Sequence, residues 1–146
     1  MRNPKEFYGD GMRVAILGSS LPALECAHTT LDKTPSAQVI VYTEDAEVGF
    51  PETPVLEELV MGHALDSIPS NWYSSIPKGI DWKTPSTTAN SWLSKSMAIR
   101  LTSRGAQFLL RTTILKIDED RREISFRGGG MVRSGVDNYD EMYDFR

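Results

Sequence analysis

The chain has 146 residues and carries 16 Lys and Arg against 20 Asp and Glu, a formal charge of −4. That length suits one domain, and a hydrophobic content of 40% is enough for a core. The longest apolar runs, VAIL at 14–17 and VIVY at 39–42, fall far short of the roughly 20 residues that cross a bilayer, and no Lys/Arg stripe supplies nucleic-acid affinity, so neither membrane nor nucleic acid is an expected partner.

Residues 1–11 form a polar lead-in with Asn3, Pro4, Gly9 and Gly11 and without the apolar stretch of a signal peptide, which predicts a flexible segment and a cytoplasmic address. The fold is expected over 12–146. Arg13 to Leu17 (RVAIL) is too short for a helix and too apolar for an exposed strand, which suits a strand buried on both faces. From Leu21 the apolar residues Leu21, Leu24, Ala27 and Leu31 recur at helical spacing, with Pro22 in the first turn, where its missing N–H costs nothing. This helix should stop near Lys33, because Pro35 disfavours helix at Thr34. Gln38 to Thr43 (QVIVYT) is rich in β-branched residues and reads as a second strand, so the three elements make a right-handed βαβ unit with parallel strands.

The stretch from about 45 to 90 holds five of the eight prolines and is expected to be an irregular excursion, with a short helix over 55–65 (VLEELVMGHAL). Trp72, Tyr73, Trp82 and Trp92 are read first as core or interface anchors, and this aromatic middle is where a protein partner or second copy would dock. Ser91 is placed to cap a helix to about Arg104, with Leu93, Met97 and Leu101 on one face and Gly105 ending it. Gln107 to Arg111 reads as a strand, and Thr112–Asp118 with Glu123–Arg127 as a β-hairpin about the charged turn 119–122. After the glycines at 128–130 no periodicity remains.

The chemistry-bearing feature is GSSLPA at 18–23. A G-x-G-x-x-G loop brings backbone close to a pyrophosphate at a helix N-terminus, where unpaired N–H groups and the helix dipole favour negative charge. Here Gly18 keeps the turn, Ser20 replaces the middle glycine and Ala23 takes the last position. The Ser20 hydroxyl either crowds a phosphate or donates to it. The backbone of Gly18, Ser19, Ser20, Leu21, Pro22 and Ala23 is the candidate pyrophosphate-binding loop. An acid at the end of the second strand normally binds the ribose hydroxyls. Alternation anchored on Val39 and Val41 puts Thr43 in its place and turns Glu44 away, whereas a shift of one residue reverses them. Both stand as candidates.

Other polar residues have plainer readings. Cys26 is the only cysteine, which leaves no internal disulfide and, with no Cys/His ligand set, no zinc site; it packs as an inert thiol. His28 and His63 are satisfied or surface histidines, and Glu44, Asp45, Glu47, Glu57 and Glu58 are solvated charge without metal-ligand spacing. Arg121 and Arg122 belong to an exposed turn.

The run RVAILGSSLPALECAHTTLDKTPSAQVIVYTEDAEVGFPE resembles the N-terminal FAD-binding segment of flavin-dependent pyridine nucleotide-disulfide oxidoreductases of the NADH oxidase and coenzyme A-disulfide reductase type. RGAQFLLRTTILKIDEDRREISFRGGG is similar to that family's next strand and hairpin, and NYDE at 138–141 to the lead-in to its second flavin strand. The matches cover about half of the chain. The resemblance implies an α/β Rossmann-like fold, FAD or NAD(P) as cofactor, and an adenine contact from the backbone near Ile114. Family members that act on disulfides carry a redox cysteine shortly after the second strand; GFPETPVL has none, with Thr53 near that place, so thiol redox chemistry is not expected. The family continues into a second nucleotide-binding domain and a C-terminal flavin motif, whereas this sequence ends at Arg146, so the isoalloxazine half of a flavin site is expected to be missing. Two functions follow: a small dinucleotide-binding, oxidoreductase-like protein, or a non-catalytic remnant or subunit of the same fold acting as an interaction module.

Overall fold

The computed structural model describes residues 11–49, 68–74, 78 and 87–146. The expected lead-in over residues 1–10, the helix over 55–65, Thr53, His63 and Trp82 lie outside the described residues.

The first βαβ unit forms as its pattern requires. Strand β1 (Arg13–Leu17) pairs in parallel with β2 (Gln38–Tyr42), Val14 opposite Val39 and Leu17 opposite Tyr42. Between them helix α1 (Leu21–Lys33) buries Leu21, Ala23, Leu24, Ala27, His28 and Leu31 on one face. Helix α2 (Thr87–Ser103) then leads to β3 (Gln107–Leu109), which pairs in parallel with β2.

The start of α2 corrects the expectation for Ser91. The helix begins four positions earlier, and Ser91 lies inside it, buried, its hydroxyl without a hydrogen-bond partner among the described residues. The early turn is held by packing: Ala89 and Asn90 are buried, and Gly49, at φ +88°, lays its backbone so close to the Ser91 carbonyl that a Cβ there would clash. The other end matches its signal. Gly105 (φ +98°) donates to Thr102 O at 3.0 Å and Ala106 to Leu101 O at 2.9 Å, the paired bonds of a Schellman cap.

Strands β4 (Thr112–Asp118), β5 (Glu123–Gly128) and β6 (Gly135–Asn138) form an antiparallel sheet, and β7 (Glu141–Asp144) returns to pair in parallel with β1. The parallel sheet has the order β3-β2-β1-β7. Strands β6 and β7 carry no pattern that predicts them, being four residues each and mostly exposed.

Alternation along the parallel strands divides the interior into two cores. Val14, Ile16, Val39 and Val41 face the helices and meet Leu24, Leu31, Leu93, Met97 and Leu101. Ala15, Leu17, Tyr42 and Leu109 face the antiparallel sheet and meet Ile124 and Phe126. The chain is thus three layers: helices, parallel sheet, antiparallel sheet. Tyr42 ties the second interface: its hydroxyl donates to Asp137 at 2.6 Å, Arg133 grips the same carboxylate at 3.0 and 2.8 Å, and the Arg133 guanidinium lies over the Phe126 ring. Burial, first, and the adjoining Asp137 charge push the Tyr42 hydroxyl far above its ordinary pKa, so it stays a donor.

The helix layer is tied by His28, which is fully buried. Its Nδ1 lies 2.9 Å from Arg104, which can only donate, so Nε2 bears the proton it gives to Met97 O at 3.1 Å. The ring stacks on Trp72, whose indole donates to Asp32, and Arg104 pairs with Asp32 as well. Burial, aided by the Arg104 and Arg100 charges, lowers the His28 pKa from 6.5 to about 4. Such a histidine takes up its proton more readily unfolded than folded. Stability contributed by His28 is therefore complete above about pH 6.5 and lost as pH falls toward about 4, by at most about 3 kcal/mol. Denaturant titrations from pH 7 to 4 should show the wild type losing stability faster than His28→Phe; parallel curves would show that His28 titrates normally.

Candidate functional site

The site lies where β1 ends and α1 begins. Gly18 takes φ +102° and donates its amide to Tyr42 O at 2.8 Å. A Cβ at Gly18 would lie 3.3 Å from the carbonyl carbon of Phe145, so both conformation and space call for glycine. Ser20 is the N-cap of α1: its backbone is extended and its Oγ turns back to accept the Ala23 amide at 3.4 Å. The Ser20 hydroxyl thus gives one lone pair to the helix and keeps its proton to donate.

This cap narrows the set of amides open to a ligand. Pro22 has no N–H, the Ala23 amide is taken by Ser20 Oγ, and the Leu24 amide donates to Ser20 O at 3.0 Å. Among the described residues nothing accepts from the amides of Ser19, Ser20 and Leu21. No acidic side chain stands in the first turn of α1 to offset its positive pole. The side chains of Leu21 and Ala23 face the core, and Pro22 is exposed.

At the end of β2 the structure separates the two ribose candidates. Thr43 is buried in step with Val39 and Val41, and Glu44 is exposed. Every polar atom of Thr43 is engaged: its amide donates to Leu109 O, its carbonyl accepts from Thr112, and its hydroxyl accepts from the Asp45 amide at 3.2 Å. The remaining proton of that hydroxyl goes to Ser19 Oγ at 3.0 Å, and Ser19 donates its own to Asp45 Oδ2 at 2.8 Å. The carboxylate held beside the loop thus belongs to Asp45. Asp45, expected as solvated charge, is exposed, and the structure adds its bond to Ser19. Its signal was the shared parity with Val41 and Thr43, and what hid it was the turn after Tyr42, which breaks strand spacing.

The antiparallel sheet closes the same end. Arg111 donates its amide to Asp45 O at 3.0 Å and Thr112 donates to Thr43 O at 2.9 Å. Ile114 follows on β4, opposite Phe126 and beside a bulge, half-buried against the second core. Cys26 is half-buried on α1, one turn past the loop; burial raises its thiol pKa and keeps it protonated. Among the described residues no group of His, Cys, Asp and Glu could hold a metal ion, and no helix is long and apolar enough to cross a membrane. Trp72 and Tyr73 pack against the helix–sheet core, and Trp92 is half-buried on α2 with Lys95 over its ring.

No family model matches the sequence, and no curated protein does. Solved structures do match in fold. A pyridine nucleotide-disulfide family oxidoreductase from Enterococcus faecalis V583 is similar over 92% of this chain and 22% of its own, at 16% identity and a TM-score of 0.55. The water-forming NADH oxidase from Lactobacillus brevis, solved with NADH, is similar over 92% of this chain and 24% of its own, at 16% identity and a TM-score of 0.60. The flavin-dependent halogenase CmlS is similar over 90% of this chain and 28% of its own, at 19% identity and a TM-score of 0.54. The fold is thus the Rossmann-type fold of flavin- and NAD(P)-dependent oxidoreductases. The chain spans about a quarter of the length of these three proteins.

The Thr43 hydroxyl joins loop, strand and carboxylate. Thr43→Val leaves Ser19 Oγ without its donor and the Asp45 amide without its acceptor, so denaturant unfolding should show a loss of about 1–3 kcal/mol; an unchanged midpoint would show that these bonds form only weakly.

Proposed function

We propose that this domain binds a dinucleotide, FAD or NAD(P), across the carboxyl end of its parallel sheet. The observation that carries this reading is the trio of amides at Ser19, Ser20 and Leu21, unpartnered among the described residues and set at the positive end of a 13-residue helix. They sit where ligands bind in open α/β sheets, at the end of β1, from which the chain runs to β2 on one side and returns as β7 on the other. A diphosphate satisfies such amides and complements the helix dipole.

The ribose falls to the end of β2. Asp45 keeps lone pairs beyond the one it gives Ser19, so it can accept a ribose hydroxyl, and its bond to Ser19 holds it beside the loop, whereas Thr43 is buried. The adenine then lies toward β4 and the backbone near Ile114. Hydride or electron transfer would be the bound cofactor's chemistry. The chain's part is to bind and orient: amides on the diphosphate, Asp45 on the ribose, and a loop held fixed by Thr43 and Ser19.

Calorimetric titration with ADP, FAD and NADH tests this reading, and Ser20→Asp sharpens it. Aspartate caps a helix as well as serine, so the variant should fold as the wild type does. It places a carboxylate beside the diphosphate and should abolish binding. Absence of binding by the wild type would refute the reading, and equal affinity in Ser20→Asp would remove the loop from the site.

A further inference from the structure

The corner between β3 and β4 holds Arg111 in a left-handed conformation, φ +49°, which residues other than glycine and asparagine seldom adopt. Arg122 shares that feature at φ +54°, but in the exposed hairpin turn between β4 and β5, where one such residue is ordinary. Arg111 is clamped from both sides. Its amide donates to Asp45 O at 3.0 Å and its carbonyl accepts the Gly129 amide at 2.8 Å.

The glycine run after β5 explains the clamp. A Cβ on Gly129 would lie 3.1 Å from Arg111 O and 3.2 Å from Arg111 Cβ, and one on Gly130 would lie 3.6 Å from Arg111 Nη1. The guanidinium therefore lies on the Gly130 side of the corner, where glycine leaves room for it. The side chain is otherwise exposed, and among the described residues no carboxylate pairs with it, not even Asp45, whose carboxylate turns to Ser19. A strained backbone thus holds an exposed, planar cation beside the glycine run. Strain of this kind is retained where surrounding structure imposes it, often at a ligand clamp.

Its position gives the clamp a use. Ser19 bonds the Asp45 carboxylate and the Arg111 amide bonds the Asp45 carbonyl, so the loop, Asp45 and residue 111 follow one another at the carboxyl end of the sheet. That is the order of diphosphate, ribose and base in an adenosine nucleotide. We infer that Arg111 is the platform on which the base of the ligand stacks, a positioning residue for a purine ring. The inference rests on the dinucleotide reading above. A guanidinium is planar and weakly hydrated and packs flat on π-systems, which the compact ammonium of lysine does less well.

ADP affinity of four chains tests it: wild type, Arg111→Ala, Arg111→Lys and Arg111→Trp, each checked for an unaltered fold. Arg111→Ala should bind ADP about tenfold more weakly, at the low end of what stacking one base contributes. Arg111→Trp should restore most of the affinity, and Arg111→Lys should not. Rescue by Lys but not Trp would make Arg111 a phosphate contact and overturn the inference, as would full affinity in Arg111→Ala. Either leaves the dinucleotide reading standing, whereas a wild type that does not bind ADP removes both. Should the Trp variant fail to fold, the ratio of ADP to inorganic pyrophosphate affinity decides: stacking predicts a fall of about tenfold in Arg111→Ala, and a phosphate contact predicts an unchanged ratio.

Discussion

A chain leaving a buried parallel strand must reverse within a few residues, and here the reversal is crowded from behind. Gly18 turns at φ +102° while the backbone of Phe145, just after β7, passes 3.3 Å from where a side chain would begin. That approach exists because β7 pairs with β1, the Phe145 amide donating to Leu17 O. The turn therefore depends on the last strand as much as on the first. It also sets the direction of α1 and hence where the amides of Ser19, Ser20 and Leu21 open.

The polar contacts about this turn fix the site without filling it with apolar bulk. Thr43 spends its backbone on β3 and β4 and its hydroxyl on Ser19 and Asp45, so strand ends, loop and carboxylate are held together. Buried groups satisfied this fully are rigid, since any displacement leaves a donor or acceptor unpaired. Farther along α1, His28 anchors the helix to α2 through Met97 O and Arg104. On the opposite face of the sheet the Tyr42–Asp137–Arg133 contacts hold the antiparallel layer. Each layer thus has its own polar tie to a common sheet, and the three amides lie at that sheet's carboxyl end.

Much of this architecture was legible in residue order. RVAIL and QVIVY are continuous apolar runs flanking a helix with a clear apolar stripe, so the βαβ unit followed from local pattern and chirality. Gly105 marked its cap, and the hairpin about 119–122 formed where alternation placed it. The rest depends on contacts distant in sequence. Helix α2 starts before Ser91, with Ala89 and Asn90 buried and Gly49 backed against the Ser91 carbonyl, which no local signal announces. β6 and β7 bury too little for a pattern to show; only the likeness of NYDE to a strand lead-in pointed toward β7. Asp45 matters through a bond from a serine 26 residues earlier, and Arg111 through a backbone conformation that its residue type does not favour.

The central claim concerns three amides, and amide resonances report on them directly. Titrating ADP into uniformly 15N-labelled protein and following 1H–15N correlation spectra, the account predicts the largest shifts at Ser19, Ser20 and Leu21, with smaller ones at Asp45 and Arg111. Shifts centred elsewhere, or none at these three residues at saturation, would contradict it.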